Sequence, residues 1–274
     1  MRIAIQGEPG SFSHEAALKA DPEATLLPCA LSAEVFVAVV GGAADAAVIP
    51  IENSLAGSVV EHYDLLLAHP VGVESEWLLR IRHNLIGVPG TRLERIGQAH
   101  SHPVALAQCR RFFAEHPEIE ASPFYDTAGS VKQLMEVRDP GIAGIASAQA
   151  AQHYGAEILV AGIEDNAENY TRFFLIRKRE HVRPEADPNK VSLAFAVENR
   201  PGTLVAALQV FASLGTNLTR LESRPVPGRP WEYVFYADYQ LEDPKAADEA
   251  LRRLPEHCSM VRELGRYRAA TPAA

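Results

Sequence analysis

The pair with the most chemical promise is Thr171-Arg172, inside the stretch G-I-E-D-N-A-E-N-Y-T-R-F-F-L-I from Gly162 to Ile176. An apolar run precedes it (Ile158 to Ala161) and another follows (Phe173 to Ile176), so the polar cluster reads as a loop held at both ends by buried strands. There a guanidinium fork could grip a small anion while the hydroxyl touches it. Taken alone, T-R-F-F is also an ordinary strand start, and other segments must point to the same place before it counts as a site. Two further stretches, G-E-P-G-S-F-S and D-T-A-G-S, put Ser11 and Thr127 at helix N-termini. Each hydroxyl there can be a simple cap, but several N-termini converging at strand ends make a pocket for carboxylates.

Other arrangements are weaker. His100-Ser101-His102 suggests a hydrolase triad, yet no G-x-S-x-G elbow is present, and Pro103 fits the first turn of a capped helix. Gly7-Glu8-Pro9-Gly10 lacks the G-x-G-x-x-G spacing of a nucleotide fingerprint. His14 and His62 have no metal-ligand spacing with carboxylates and read as surface or supporting groups, so no metal is expected. The cysteines, Cys29, Cys109 and Cys258, are odd in number and far apart, as free buried thiols of a reducing compartment are.

The elements that must hold these residues repeat one theme up to about residue 180. A short apolar strand is followed by a Ser-, Thr- or Asn-bearing turn and an Ala-rich helix. Arg2 to Gln6, Ala46 to Pro50, Ile96 to Ala99, Phe124-Tyr125 and Ile142 to Ile145 are the strands, and the alternation predicts an α/β region with largely parallel sheets. From Arg177 to Lys190 the chain is charged, carries two prolines and loses periodicity, as a linker does. Beyond it the order strand (191–197), helix (203–214), strand (217–224), strand (231–239), helix (244–254), strand (260–267) is βαββαβ, a ferredoxin-like unit. Its edge strands favour association with a second copy.

Composition bounds the partners. At 274 residues and 47% hydrophobic the chain can bury the cores of two domains. Its formal charge of -9, with no basic run, makes nucleic acid and anionic membranes poor partners. The N-terminus enters a strand without an apolar leader, and no run approaches the ~18 residues of a membrane span, so a cytoplasmic protein is expected.

Five motifs in order, G-E-P-G-S-F-S, P-I-E-N-S-L-A-G-S-V, S-H-P-V-A-L-A-Q-C, D-T-A-G-S and N-Y-T-R-F-F, resemble the bacterial prephenate dehydratases, and the likeness covers nearly the whole chain. The C-terminal unit resembles an ACT domain of the phenylalanine-binding kind, with P-G-T-L-V and E-S-R-P in the family's places. The resemblance implies a catalytic domain over 1–180 with two lobes like those of periplasmic binding proteins (about 1–76 with 157–180, and 77–156), and an ACT domain over 190–268. It implies cofactor-free conversion of prephenate to phenylpyruvate, water and carbon dioxide in L-phenylalanine biosynthesis. A homodimer or homotetramer and feedback by L-phenylalanine go with it. Arogenate dehydratase and a non-catalytic amino-acid-sensing binder are the competing readings.

Carried over position by position, Asn53, Ser101, Gln108 and Thr171 would be catalytic. Glu52 would be a proton source if burial raises its pKa, or else would orient Asn53 or pair with an Arg. Arg172 would serve a substrate carboxylate directly or by fixing the loop, and Phe173, Ser11 and Thr127 would bind substrate. Phenylalanine would sit near Pro201, Gly202, Thr203, Leu204, Asn217, Leu218, Glu222, Ser223 and Arg224.

Overall fold

The computed structural model describes residues 1–226, 228–229, 231–241 and 244–271. The chain divides into two compact units, one gathering Met1–His62 with Trp77–Leu175, the other Tyr63–Glu76 with Ile176–Ala270.

The first unit opens with β1 (Arg2–Gln6), α1 (Phe12–Ala20), β2 (Thr25–Cys29), α2 (Ser32–Val40), β3 (Ala46–Asn53) and the short β4 (Gly57–Ser58). Helix α3 (Val60–Ala68) and strand β5 (Val71–Arg80) follow. β1 is apolar on both faces because both are covered: Ile3 and Ile5 pack on Ala16 and Ala17 of α1, and Ala4 is fully buried on the opposite face. β1 pairs in parallel with β2 and β3, as short helical crossovers require.

A second sheet then forms from β6 (Asn84–Gly87), β7 (Gln98–Ser101), β8 (Glu120–Pro123), β9 (Ile142–Ala146) and β10 (Glu157–Ala161), with α4 (Pro103–Ala107), α5 (Arg110–Glu115), α6 (Thr127–Val137) and α7 (Ala148–Tyr154) between its strands. Its order is β10-β6-β9-β7-β8. The chain returns to the first sheet through β11 (Tyr170–Lys178), giving the order β2-β1-β3-β11-β5 with β4 paired to β3. Gly10 ties the two layers together. Its φ of +89° is left-handed, and a Cβ there would lie 2.7 Å from the Ala150 Cα of α7, so only glycine allows the approach. Ser147 Oγ donates to the Gly10 carbonyl at 2.7 Å.

The second unit holds β12 (Lys190–Ala196), α8 (Thr203–Ser213), β13 (Asn217–Pro225), β14 (Tyr233–Gln240), α9 (Pro244–Arg253) and β15 (Met260–Tyr267). The antiparallel order β13-β14-β12-β15 is the βαββαβ unit expected. Its core joins Val191, Leu193 and Phe195 to Val210 and Phe211 of α8 and Ala247, Ala250 and Leu254 near α9.

Four boundaries differ from the sequence reading. β10 pairs with β6 of the second sheet, so the chain returns to the first lobe after residue 161 and not at 157. β5 belongs to the first sheet through Arg80, so that lobe does not end at 76. The C-terminal unit also draws in Tyr63–Glu76. Tyr236 Oη donates to the Tyr63 carbonyl at 3.1 Å, Arg224 pairs with Asp64 at 2.9 Å, and Lys190 Nζ lies 2.8 Å from Glu76. The linker starts later than its charge suggested, because Arg177 is still in β11 with its guanidinium buried against Glu74 at 2.7 Å.

Candidate active site

The sequence N-S-L-A-G makes a tight turn between β3 and β4, with Asn53 opposite Gly57. Asn53 Oδ1 accepts the backbone N–H of Leu55 (3.0 Å) and Ala56 (2.8 Å), an Asx arrangement that closes the turn. Those two amides also fix which way the Asn53 amide faces. Its Nδ2 must then donate toward Asn169 Oδ1 (2.8 Å), the Tyr170 carbonyl (3.2 Å) and Thr171 Oγ1 (3.0 Å). Ser54 adds a clamp, accepting from the Tyr170 N–H and donating to the Glu168 carbonyl, both at 3.0 Å. The turn after β3 thus holds the first residues of β11.

One consequence is chemical. Thr171 Oγ1 accepts from Asn53, so its own proton is not spent on that contact. Thr171 is buried and lines a cavity of about 610 Å³. Gln6, Ser11, Phe12, Pro50 and Phe173 face the cavity from the first sheet's side, and His102, Tyr125, Asp126 and Thr127 from the second's. Two helices begin at its wall. Ser11 caps α1 by accepting the His14 N–H, and Asp126 caps α6 by accepting the Gly129 N–H at 2.6 Å. The first-turn amides that the helices leave unbonded are anion donors. Burial, with the Glu8 carboxylate adding to it, raises the Asp126 pKa above the usual carboxylate value. Glu8 itself is engaged by Lys132 at 3.0 Å and Tyr125 at 3.1 Å.

The structure sorts the expected residues. Thr171, Phe173, Ser11 and Thr127 line the cavity. Asn53 stands directly behind Thr171, and Gln108 stands one step further back, its Oε1 accepting from Asn169 Nδ2 at 2.9 Å. Thr171 and Arg172 lie within β11 and not on a loop before it, and strand alternation turns neighbours to opposite faces. Arg172 therefore leaves the cavity, lying over the Phe174 ring at 4.7 Å and 3.6 Å from Glu52. It is not placed to fork a carboxylate in the cavity.

Glu52 takes the other place expected for it, beside an Arg. Its side chain is 38% exposed beside Arg172 and does not line the cavity. Glu52→Gln should accordingly leave kcat within about threefold of the parent, where losing a true proton donor costs a hundredfold or more. Steady-state kinetics checks this. Ser101 is also withdrawn from the cavity. It is fully buried, and its Oγ donates to the Ile145 carbonyl at 2.6 Å, joining β7 to β9.

His14 and His62, expected as surface or supporting groups, are both buried. His14 Nδ1 accepts the Gly10 N–H, and His62 Nε2 meets Ser32 Oγ at 3.0 Å. Burial lowers the pKa of each.

Sequence reasoning missed Asn169 and His83. Asn169 had a signal, since it sits two residues before Thr171 in N-Y-T. His83 had none: a lone histidine between Arg82 and Asn84 carries no spacing.

In the C-terminal unit Gly202 and Thr203 open α8, and Thr203 Oγ1 donates to the Glu198 (2.6 Å) and Arg200 (2.9 Å) carbonyls. Glu198, Arg200, Thr203, His257 and Cys258 line a 290 Å³ cavity. By register Arg224 is level with Val234 and Ala196, whereas Asn217 is level with Gln240 and Lys190. Along the strand Leu218 and Glu222 are four residues apart, about 13 Å, and Asn217 and Arg224 seven, about 23 Å, within one copy. Leu204 and Leu218 pack on the unit's core.

Comparison with known proteins follows the two units. The family described as prephenate dehydratase matches residues 3–181, and the ACT domain family matches 191–256. An Arabidopsis thaliana protein named arogenate dehydratase/prephenate dehydratase 1, chloroplastic, is 39% identical over 97% of this chain and 72% of its own length. A prephenate dehydratase from Arthrobacter aurescens, solved in complex with L-Phe, has a TM-score of 0.90 at 32% identity and covers 100% of this chain and 92% of that one. A structure titled GqqA, a novel type of quorum quenching acylases, has the same TM-score at 36% identity and covers 99% of each chain.

Proposed function

From a chain that belongs to the prephenate dehydratase family and carries an ACT domain, we propose that this protein turns prephenate into phenylpyruvate, water and carbon dioxide in the cavity behind which Asn53 holds Thr171. One observation supports the placement: Thr171 faces the cavity with its oxygen already taken as an acceptor and its proton still to give. The bond from the ring to its carboxylate breaks, and its electrons become the last double bond of the aromatic ring. The C4 hydroxyl departs on the far side. Thr171 donates a hydrogen bond to that oxygen as negative charge grows on it, and one proton taken up from bulk solvent turns the departing hydroxide into water. An alcohol is too weak an acid to protonate hydroxide's precursor outright, so its contribution is directional stabilisation.

The carboxylates fall to neutral donors. The N-terminal amides of α1 and α6 orient them, and no Lys or Arg lines the cavity among the described residues. That suits a decarboxylation, because a tight ion pair would stabilise the charge that must leave. Phe12 and Phe173 supply apolar walls for the ring.

Acyl transfer, the activity in the GqqA title, needs a nucleophile with a base in reach. Here Ser11 caps a helix, Ser101 is spent on a carbonyl, and His102 Nδ1 accepts the Val104 N–H. Arogenate differs from prephenate only in carrying an amino group where prephenate has its keto group, so it shares the ring chemistry.

We assign the C-terminal unit to L-phenylalanine, bound between copies of a homo-oligomer, because strand register keeps the two halves of the expected site apart within one copy. Residence in the cytoplasm goes with three free cysteines and remains part of this reading.

Purified protein given prephenate, arogenate and an N-acyl amide in parallel tests the assignment. Phenylpyruvate from prephenate, slowed by added phenylalanine, is expected. Cleavage of the amide without aromatisation of either ring substrate would overturn it.

A further inference from the structure

Behind Thr171 lies a chain of side chains whose hydrogen bonds can run in one direction only. The Leu55 and Ala56 amides make Asn53 Oδ1 an acceptor, so Asn53 Nδ2 donates to Asn169 Oδ1 at 2.8 Å. That fixes Asn169 in turn, and its Nδ2 donates to Gln108 Oε1 at 2.9 Å. The same Gln108 oxygen lies 2.9 Å from His83 Nε2. An amide oxygen only accepts, so His83 must carry a proton on Nε2. The other ring nitrogen, Nδ1, is buried with no partner among the described residues. The backbone adds a second anchor, since the His83 N–H donates to Glu164 Oε2 at 3.0 Å. Phe12, which lines the cavity, meets the His83 ring edge-on at 5.7 Å.

We infer that His83, as the neutral Nε2–H tautomer, is a positioning residue for the reaction: with Asn169 it saturates Gln108 Oε1 and locks the order of donors that leaves the Thr171 proton facing the cavity. Both ends of the chain are pinned. Backbone amides pin the Asn53 end and a buried ring, 2% exposed, pins the other. If His83 could not donate, Gln108 could rotate to offer its NH2 group, Asn169 would turn over, and its NH2 would face the Asn53 NH2. Asn53 would then have to release either its turn or Thr171. Burial lowers the His83 pKa, which keeps the ring neutral, with the nearby Glu164 carboxylate opposing it.

Two measurements test the inference, and only the second rests on the dehydratase reading. In the unmodified protein labelled with 15N-histidine, with His83 assigned by its loss in the His83→Gln spectrum, the ring should show Nε2 protonated and Nδ1 bare. A proton on Nδ1 instead would overturn the inference whatever the substrate is. In kinetics, His83→Leu should lower kcat about tenfold with KM little changed, the cost of a misaligned hydroxyl. His83→Gln, whose amide can again donate to Gln108, should recover most of the loss. Turnover of His83→Leu within about twofold of the parent would exclude a positioning role, since even slight misplacement costs more. A parent that aromatises neither ring substrate would sink the dehydratase reading while leaving the NMR result to decide the hydrogen-bond order.

Discussion

Thr171→Val should lower kcat by about a hundredfold or more and change KM by less than about threefold, the signature of a hydrogen bond made chiefly in the transition state. Valine keeps the branched shape that β11 accommodates, so the wall of the cavity survives and only the donor goes. A hundredfold is about 2.7 kcal/mol of barrier, within reach of one well-directed donor in a site shielded from water. Thr171→Ser restores the hydroxyl without the methyl and should recover turnover to within about tenfold of the parent, the gap reflecting a freer rotor. Rapid-mixing absorbance of phenylpyruvate separates the chemical step from release. A valine variant turning over at the parent's rate would remove Thr171 from the mechanism.

Asn53→Asp is expected to be as damaging, although it removes no heavy atom. The new carboxylate still accepts the Leu55 and Ala56 amides, so the turn is kept. Its second oxygen then faces Asn169 Oδ1, the Tyr170 carbonyl and Thr171 Oγ1, three oxygens where an NH2 group had faced them. Thr171 can answer only by donating to the carboxylate, which takes its proton out of the cavity. The loss should again be about a hundredfold in kcat, because the same donor is lost. It should shrink as the pH falls, since a protonated carboxyl can donate to Thr171 again. A variant with equal loss at every pH, or with no loss, would contradict the donor order at Asn53.

How far these residues could be seen in the sequence depended on whether type or direction decided their role. The strand, turn and helix pattern made the α/β layers and the βαββαβ unit legible, because hydrophobic period and capping residues act locally. Thr171, Asn53 and Gln108 were legible as parts of ordered motifs. Arg172 shares a motif with Thr171, but β11 begins at Tyr170, before the polar pair, and alternation sends the guanidinium to the other face. Ser101 was chosen for its hydroxyl, yet a carbonyl on β9, 44 residues further along, claims it. Glu52 depended on burial, which the sequence does not carry. The lobe bounds put residues 157–161 with the first sheet, but β6, some 70 residues earlier, takes β10. His83 became visible only when its nitrogen fell within reach of Gln108. The misses at Ser101, β10 and His83 are long-range pairings that local pattern does not encode.

The central claim is that Asn53 donates to Thr171 and Thr171 donates into the cavity. Neutron diffraction from deuterium-exchanged crystals locates those hydrogens directly. The account predicts two deuterons on the Asn53 nitrogen, one of them aimed at Thr171 Oγ1, and the Thr171 deuteron pointing into the cavity between Phe173 and the α1 N-terminus. A Thr171 deuteron aimed back at Asn53, with the Asn53 oxygen turned toward it, would contradict the account.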